Sequence, residues 1–543
     1  MHVFEIVIAL LLAGAGLTLL SRRIGTPYPA LVALAGAGLA LVPGTPTLVL
    51  DPELALTLFV APVLLDSAFD ASTRDLRANW RTVTGLALGA VVFTVAVVAV
   101  VARALVPDMP WAVAVALGAM VAPPDAAAAT AVLKQLRPPH RLLVILEGES
   151  LFNDASALLI YRLAIGAALT GSLSPASALP MLLVVTLGSV VLGFVLSRLL
   201  FPLLSRVEDV AVGVVIQFCS TFAVWTLAER LHLSGILTLV VFAMVTSRRA
   251  ASVTPARLRI PGYAVWEVAV FVLNVLAFIL VGFQLKGILE RVDRGTLLSY
   301  AGVGGAVCVA TILARIAWVW LAALVSRYRH RRQLRNRSQD EAGRPQGELE
   351  AALLSNGSAA VIGWCGMRGI VTLAAALALP AGNAASSTFP YRDLILFSAF
   401  SVVLGTLVVQ GMTLRPLMKA LALKDDGTVE REVESARVEM LRAALAASNQ
   451  LQVAELSGLM RHRYEVLLRR AEAELAGAAA PRADAPELDD AAAIRAVTSA
   501  ERQRLLALRQ SDTIGDAAFQ RLEQELDLEE IYLQQVAVRE QPE

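Results

Sequence analysis

Long runs of apolar residues, separated by short polar connections, follow one another through roughly the first 420 residues of the chain. A helix that crosses the hydrocarbon core of a bilayer needs about 20 mostly apolar residues. The pattern therefore predicts an all-α polytopic membrane protein with about 13 transmembrane helices. The predicted spans are residues 3–20, 28–42, 54–70, 82–105, 111–133, 142–169, 179–200, 210–228, 233–247, 264–285, 297–325, 352–379 and 393–414.

The pattern changes near residue 424, where the sequence becomes rich in Ala, Leu, Glu and Arg. Residues 434–476 and 492–535 are typical of soluble helices, and the Ala, Pro and Asp residues at 476–490 are typical of a linker. We therefore predict a transmembrane domain at residues 1–423 and a helical tail at residues 424–543. The tail is either a solvated appendage that aids packing or assembly, or a regulatory element.

Charge divides the chain at the same place. The tail contains 24 acidic and 15 basic residues, whereas residues 1–423 carry a net charge of +10. Between the predicted spans, the odd-numbered connections contain 21 Lys and Arg residues and the even-numbered connections contain 5. Because basic connections mark the cytoplasmic side, we predict an external N-terminus and a cytoplasmic tail. The first apolar run lacks a basic n-region, which favours a retained span over a cleaved signal.

The sixth predicted span contains the segment ILEGESLFNDAS, residues 145–156. A charged group at bilayer depth costs roughly 2.5–3.5 kcal/mol on insertion scales, so such groups are paired or functional. At about 100° per residue, Ser150 and Asp154 share one helix face, and Glu149 and Asn153 share the adjoining face. Two oxygen ligands on one face suit a small hard cation. A set of paired structural carboxylates is the alternative.

The fifth predicted span contains the segment VAPPDAAAAT, residues 121–130. Pro123 and Pro124 remove two backbone donors and clash with the preceding turn, so we expect a broken helix there. Broken helices at membrane depth expose free carbonyls and half-helix dipoles, which serve as ion sites in transporters. Asp125 and Thr130 would add oxygen atoms beside such a break. A simple proline kink is the alternative.

Three further polar residues interrupt predicted spans. Asp66 lies near the cytoplasmic end of the third span, where it is either a cation ligand or an interfacial carboxylate that reaches water. Arg315 lies inside the eleventh span, and a lone buried Arg requires a carboxylate partner, for which we predict Glu149. Arg368 lies in the segment GWCGMRGIVTLAAALALP, residues 363–380, as a second intramembrane cation. The glycines of that segment predict close helix approach.

Enzyme signatures are missing from the sequence. The five histidines form no ligand pair, and neither a GxSxG motif nor a P-loop is present. We therefore expect no catalytic residues and no cofactor. The intramembrane polar residues allow three functions: a secondary transporter of cations, a helical cation channel, and a membrane sensor that signals through the tail.

Five motifs carry a resemblance to a known family: EGESLFNDAS, GWCGMRGIV, APPDAAAAT, ARIAWV and FVLNVLAFILVGFQL. With them, roughly residues 1–420 resemble the monovalent cation/proton antiporters, in the NhaP-like sodium/proton exchanger branch. The resemblance implies inverted repeats, a core domain that moves against a dimerisation domain, and a homodimer in the cytoplasmic (inner) membrane. It also implies that sodium or another monovalent cation is exchanged for protons by alternating access, a reaction that serves pH homeostasis.

The resemblance assigns roles to residues that match its motifs. Asp154 resembles the carboxylate that binds either the cation or protons, with Asn153 as its neighbour. Ser150 and Asp66 resemble further ligands of a transiently bound sodium ion, although many relatives have Glu at the latter position. The Asn-Asp pair resembles the branch that exchanges one cation for one proton without net charge. A potassium/proton antiporter of the same family is the alternative.

The remaining assignments concern the ion pair and the broken span. Glu149 and Arg315 resemble the structural ion pair of the family. Many relatives read Thr-Asp-Pro at the broken span, whereas this chain has Pro124, Asp125 and Ala126. This departure leaves open which backbone carbonyl faces the ion, and with it the selectivity among sodium, potassium and lithium.

Overall fold

The computed structural model describes the chain except for residues 1, 25, 41–51, 171–174, 205, 290–291, 337–354, 381–388, 424, 450–453, 477–490 and 540–543. The described residues form helices joined by short connections and contain no β-strand. Seven of the described helices are long and apolar enough to cross a membrane. The protein is therefore an all-α, multi-pass membrane protein.

The helices before residue 424, which we call the body, mostly coincide with the apolar runs of the sequence. They are α1 His2–Ile24, α2 Tyr28–Ala40, α3 Pro52–Asp70, α4 Thr73–Thr84, α5 Val91–Leu105, α6 Trp111–Val121, α7 Ala126–Leu136, α8 His140–Thr170, α9 Pro175–Leu204, α10 Val210–Arg230, α11 Gly235–Val253, α12 Ala256–Leu289, α13 Arg294–Asn336, α14 Asn356–Trp364, α15 Ile370–Leu377 and α16 Arg392–Ala420. A π-helical turn, Gly85–Ala90, joins α4 to α5 without interrupting the helix.

Two of the predicted boundaries in the body are wrong. Residues 71–81 were expected to form a connection, but α4 begins at Thr73 with the backbone N–H of Asp75 bonded to Ser72 Oγ at 3.2 Å. This N-cap allows a polar amphipathic helix to precede the apolar run. The predicted span at residues 352–379 is not one helix, because α14 ends at Trp364 and α15 begins at Ile370. Residues 352–354 of that span lie outside the described residues.

The body helices pack in two groups. In group one, α2 packs on α12, α11 packs on α9 and α3, and α10 packs on α3, α11 and α12. In group two, α6 packs on α5 and α8, and α13 packs on α5, α14 and α16. Contacts of α2 and α3 with α15 and α16, and of α8 with α11, join the two groups. Both helix breaks, at residues 122–125 and 365–369, belong to group two.

The helices after residue 424, which we call the tail, form a small bundle. They are α17 Thr428–Ser448, α18 Ala454–Leu475, α19 Ala491–Gln510 and α20 Asp516–Arg539. One apolar cluster of the tail surrounds Leu505 and Phe519, and another surrounds Tyr464 and Val497. The first cluster also includes Ala251 of α11. The tail therefore packs against the body as well as on itself.

A buried carboxyl group makes the tail sensitive to pH. Glu501 of α19 is 5% exposed. Burial, together with the nearby Glu529, raises the pKa of Glu501 to about 8 against the opposing effect of Arg463. At a pH between the ordinary pKa of 4.5 and about 8, the folded tail therefore holds a proton that the unfolded chain has released. Between these two pKa values the stability of the tail falls as the pH rises.

We expect the free energy of opening of α19 to fall by up to about 1.4 kcal/mol per pH unit between roughly pH 6 and pH 8. The Glu501→Gln substitution should remove this slope, because the amide does not titrate. Hydrogen exchange of the α19 amides in the full-length protein, corrected for the intrinsic exchange rate, measures the slope. Glu474→Gln, at an exposed position of α18, should leave it unchanged. An unaltered slope in Glu501→Gln would assign the pH dependence to another group.

Candidate functional site

The first helix break lies where the two adjacent prolines were expected to produce it. α6 ends at Val121 and α7 begins at Ala126, so four residues between them are not helical. The carbonyl oxygens of Val121, Ala122 and Pro124 accept hydrogen bonds from side chains of two other segments, the helix α8 and the second break. In an unbroken helix these carbonyl oxygens would accept hydrogen bonds from backbone N–H groups. The break leaves them available to side chains of the surrounding residues.

The second break, Cys365–Gly369, lies directly against the first. The backbone N–H of Asp125 donates to the carbonyl oxygen of Met367 at 2.7 Å. A Cβ atom on Gly369 would lie 1.7 Å from Asp125 Oδ2, and one on Gly366 would lie 2.4 Å from Arg315 Cδ. These two glycines thus make room for polar side chains. Gly363, whose Cβ would lie 3.5 Å from Ile316 Cα, faces a neighbouring helix with ordinary spacing.

Arg368 connects the two breaks. Its side chain is completely buried and donates to the carbonyl oxygens of Val121 at 2.9 Å, Ala122 at 3.2 Å, and Gly366. Its backbone N–H donates to Thr406 Oγ1 at 3.0 Å. Within the described ranges Arg368 forms no ion pair, so its charge is balanced by backbone dipoles. The guanidinium replaces the helical donors that both breaks have lost.

Asp154 lies beside the first break. Asp154 is 5% exposed and, among the residues that the structure describes, forms neither a hydrogen bond nor an ion pair. Asp125 is the acidic neighbour with which it interacts electrostatically. Asn153 is fully buried and donates through Nδ2 to the carbonyl oxygen of Pro124 at 3.1 Å, while its Oδ1 has no partner in the part of the chain that the structure describes. A carboxyl group in such surroundings has to take up either a proton or a cation.

The structure brings Glu149 and Arg315 together. Arg315 Nη1 and Nη2 donate to the two oxygens of Glu149 at 2.5 and 2.8 Å, and both side chains are 2% exposed. Arg315 Nε also donates to the carbonyl oxygen of Ile362 on α14, at 3.1 Å. This bidentate pair ties α8 to α13 and to the helix that precedes the second break.

The structure does not place Asp66 against Asp154. Asp66 lies on α3, in group one, and its electrostatic neighbours are Asp70, Lys134 and Glu267. It lines a cavity of about 180 Å³ between α3, α10, α11, α12 and the tail. Ser150 lies one turn before Asp154 on α8 and is partly buried, and Thr130 is buried on α7. The predicted oxygen ligands are therefore divided between the two helix groups.

Residues 6–420 match the family described as sodium/hydrogen exchanger, transmembrane. The chain belongs to this family. An uncharacterized Na(+)/H(+) exchanger of Mycobacterium tuberculosis is 31% identical, over 97% of this chain and 96% of that protein. The sodium, potassium, lithium and rubidium/H(+) antiporter of Bacillus subtilis is 32% identical, over 76% of this chain and 61% of that protein.

Solved structures share the fold of this exchanger. The sodium proton antiporter MjNhaP1 from Methanocaldococcus jannaschii, at pH 8, superimposes with a TM-score of 0.57 and 16% sequence identity. The similarity covers 78% of this chain and 99% of MjNhaP1. The sequence-based recognition of a sodium/proton exchanger is thereby confirmed, and the mycobacterial relative extends the similarity through the tail.

Several polar features of the exchanger's body were not foreseen from the sequence. Trp318 Nε1 donates to the carbonyl oxygen of Gly85 at 3.0 Å, and Ser156 Oγ donates to that of Ala87 at 2.7 Å. Both carbonyls belong to the π-helical turn, where an extra residue displaces them from the regular ladder. Nothing in the apolar sequence of that turn indicates this. Gln410, a polar residue in an apolar run, is fully buried on α16, and neither of its amide atoms has a partner in the described part of the exchanger.

Proposed function

We propose that this protein exchanges sodium, or another monovalent cation, for protons across the cytoplasmic membrane, one for one, by alternating access. The observation that carries the proposal is the buried carboxyl group of Asp154, which lacks a counter-charge among the described residues and lies beside the broken helices. Membership of the sodium/hydrogen exchanger family supports the same reaction.

A single carboxyl group can couple the two substrates by competition. Deprotonated Asp154 offers a negative charge to a dehydrated cation, with oxygen atoms of Ser150 and of the break backbone as further ligands. Protonated Asp154 is neutral and has no attraction for the cation. Binding of one substrate therefore requires release of the other. Asn153 holds the carbonyl oxygen of Pro124 in place and so acts as a positioning residue for the site.

Competition for one carboxylate also makes the exchange electroneutral. The site carries the same net charge whether it holds a proton or a monovalent cation, so its movement transfers no charge in a complete cycle. An exchange of unequal charge would respond to voltage by about 2.3 kcal/mol per elementary charge per 100 mV. A tenfold proton gradient supplies about 1.4 kcal/mol, which is enough for a tenfold cation gradient.

The arrangement of helices supports alternating access between two domains. Asp154 and both breaks belong to group two, which we propose as the moving core domain built from inverted repeats. Asp66 belongs to group one, which we propose as the dimerisation domain. In group one, α9 exposes apolar side chains such as Leu187, Val191 and Leu199, which fits contact with lipid or with a second copy. Movement of group two past group one would open Asp154 to each side in turn.

We propose thirteen membrane crossings, an external N-terminus and a cytoplasmic tail. The tail contacts Arg74, Ala251 and Arg259 of the body. These residues lie at or beside connections that are rich in basic residues, and such connections face the cytoplasm. The position of the tail therefore agrees with the charge pattern. Residues 1–423 would form the antiporter domain, and residues 424–543 a cytoplasmic, regulatory tail.

Cation-dependent proton flux in proteoliposomes tests the proposed function. We expect an imposed sodium gradient to drive a change of internal pH, and the final pH gradient to be independent of a clamped membrane potential of about 100 mV. Repeating the assay with lithium, potassium and rubidium across a pH series defines the selectivity. A final gradient that shifts with the potential would contradict one-for-one exchange, and the absence of any cation dependence would contradict antiport.

Potassium is a second candidate substrate. The relative from Bacillus subtilis is described as a sodium, potassium, lithium and rubidium/H(+) antiporter. Because this chain has Pro124-Asp125-Ala126 at the first break, its backbone ligands need not discriminate as those of other relatives do. Comparable fluxes with sodium and potassium in the same assay would assign the broader specificity.

A further inference from the structure

The tail lines one side of the cavity that contains Asp66. Its body walls come from α3, α10, α11 and α12, and the tail contributes Arg509, Phe519, Gln520 and Glu523. The cavity has a volume of about 180 Å³, which is large enough for several water molecules, each of which takes about 30 Å³ in the liquid. The helix α3, which carries Asp66, and the helix α20 thus line the same cavity.

Buried polar contacts hold α20 in this position. Gln520 Nε2 donates to Asp70 Oδ1 at 3.3 Å, one turn along α3 from Asp66. Glu523 forms an ion pair with Arg259 at the start of α12, and Asp527 Oδ2 lies 3.4 Å from Arg259 Nε. The three charged side chains are between 2% and 8% exposed. Asp527 also pairs with Arg502 at 2.6 Å, so loss of Glu523 leaves the buried Arg259 with only a shared carboxylate and weakens the contact more than the loss of an exposed pair would.

Two further contacts join the tail to the body. Arg74 of α4 forms an ion pair with Glu432 at 2.9 Å, and the other oxygen of Glu432 accepts from the backbone N–H of Gly515 at 2.7 Å. Ala251 of α11, which lines the cavity, packs in the apolar cluster that includes Phe519. Through Glu432, the connection between α19 and α20 is thereby linked to Arg74 of the body.

We propose that α20 is a lid over the route by which cations reach Asp66. This inference rests on the proposed function, because it takes Asp66 to be part of the cation pathway. While the lid is docked, cations enter the cavity slowly and exchange runs below its capacity. Release of the lid removes one wall of the cavity and opens Asp66 to the solution on the side of the tail. A tail that only supports packing would leave access to the cavity unchanged when these contacts are lost.

Thiol labelling measures access to the cavity separately from transport. Ser247 of α11 lines the cavity, and Ser247→Cys adds a thiol there in a background in which the exposed Cys219 is replaced by alanine. The parent without Ser247→Cys supplies the blank. Full-length protein is labelled with a membrane-impermeant maleimide in vesicles that expose the tail to the medium.

The variant that releases the lid combines Gln520→Ala with Glu523→Gln. We expect it to react roughly tenfold faster at position 247, which corresponds to about 1.4 kcal/mol of docking free energy. Glu525→Gln is the matched control, since Glu525 lies on the same helix but pairs with Arg437 inside the tail. In this control the thiol at position 247 should react at the same rate as in the protein with an unmodified tail. Equal labelling rates at position 247 in all three proteins would contradict the proposal that α20 is a lid.

Flux in the same proteins connects the lid to transport. We expect the release variant to exchange cation for protons about twofold to tenfold faster at the start of the reaction, because opening of a lid often limits turnover. Adding Asp154→Asn should remove the flux from both proteins. Faster labelling without faster flux would overturn control of transport by α20. Faster labelling with no flux in any protein would instead contradict the proposed exchange.

Discussion

Asp154→Asn is expected to reduce cation-dependent proton flux in proteoliposomes to the level of empty liposomes. The amide has nearly the shape of the carboxyl group, but it does not exchange a proton as a carboxyl group does, and it carries no charge that attracts a cation. Among the described residues Asp154 has no hydrogen-bond or ionic partner, so its neutralisation leaves no other charge unpaired. The variant should therefore retain its melting temperature while losing both substrates.

The matched control for this substitution is Glu147→Gln on the same helix. Glu147 pairs at 3.5 Å with Lys134 of α7, and both side chains are well exposed. Because exposed ion pairs contribute only about 0–1 kcal/mol, this control should keep both its fold and its flux. Sodium-dependent proton flux that survives Asp154→Asn in a folded protein would refute the assignment of Asp154. Loss of flux in both variants would show that the assay reports a general effect of charge on α8.

The features that can be predicted from the sequence depend on interactions within one helix or between two residues. Uninterrupted apolar runs leave few alternatives to a membrane helix, since every backbone group in lipid must be satisfied internally. Two adjacent prolines, Pro123 and Pro124, cannot continue a helix, so the first break is visible in the sequence. The contact between Glu149 and Arg315 follows from the cost of isolating either charge. Each of these predictions needs only one helix or one pair of residues.

The remaining features depend on contacts between distant segments. The sequence predicts helix contact at Gly366 and Gly369, but glycine suits both close helix packing and an unwound segment. Only the structure shows that Asp125 and Arg315 occupy the space beside them. The hydrogen bonds of Arg368 likewise require both breaks to be present. The docking of α20 was not foreseen, because no local pattern relates Glu523 to Arg259, which is distant in the sequence.

Glu149→Ala and Arg315→Ala should each destabilise the folded protein by about 3–5 kcal/mol, and the double substitution should cost much less than the sum of the two. Each single substitution leaves a buried charge without its partner, whereas the double substitution removes both charges. The Glu149–Arg315 pair joins α8, α13 and α14 through the bonds to Glu149 and to the carbonyl oxygen of Ile362. Thermal unfolding in detergent, followed for the four proteins of the cycle, measures the coupling.

An exposed ion pair in the same chain provides the reference for this cycle. Arg521 and Glu430 lie 2.8 Å apart in the tail with about half of each side chain exposed, and such pairs couple by about 0.2–1 kcal/mol. Additive losses at Glu149 and Arg315 would show that the two charges act independently. Because Arg315 Cδ packs against Gly366, loss of the pair also removes support from the second break. Flux in the double variant should therefore fall even at temperatures where it remains folded, which links the stability of the pair to the geometry of the exchange site.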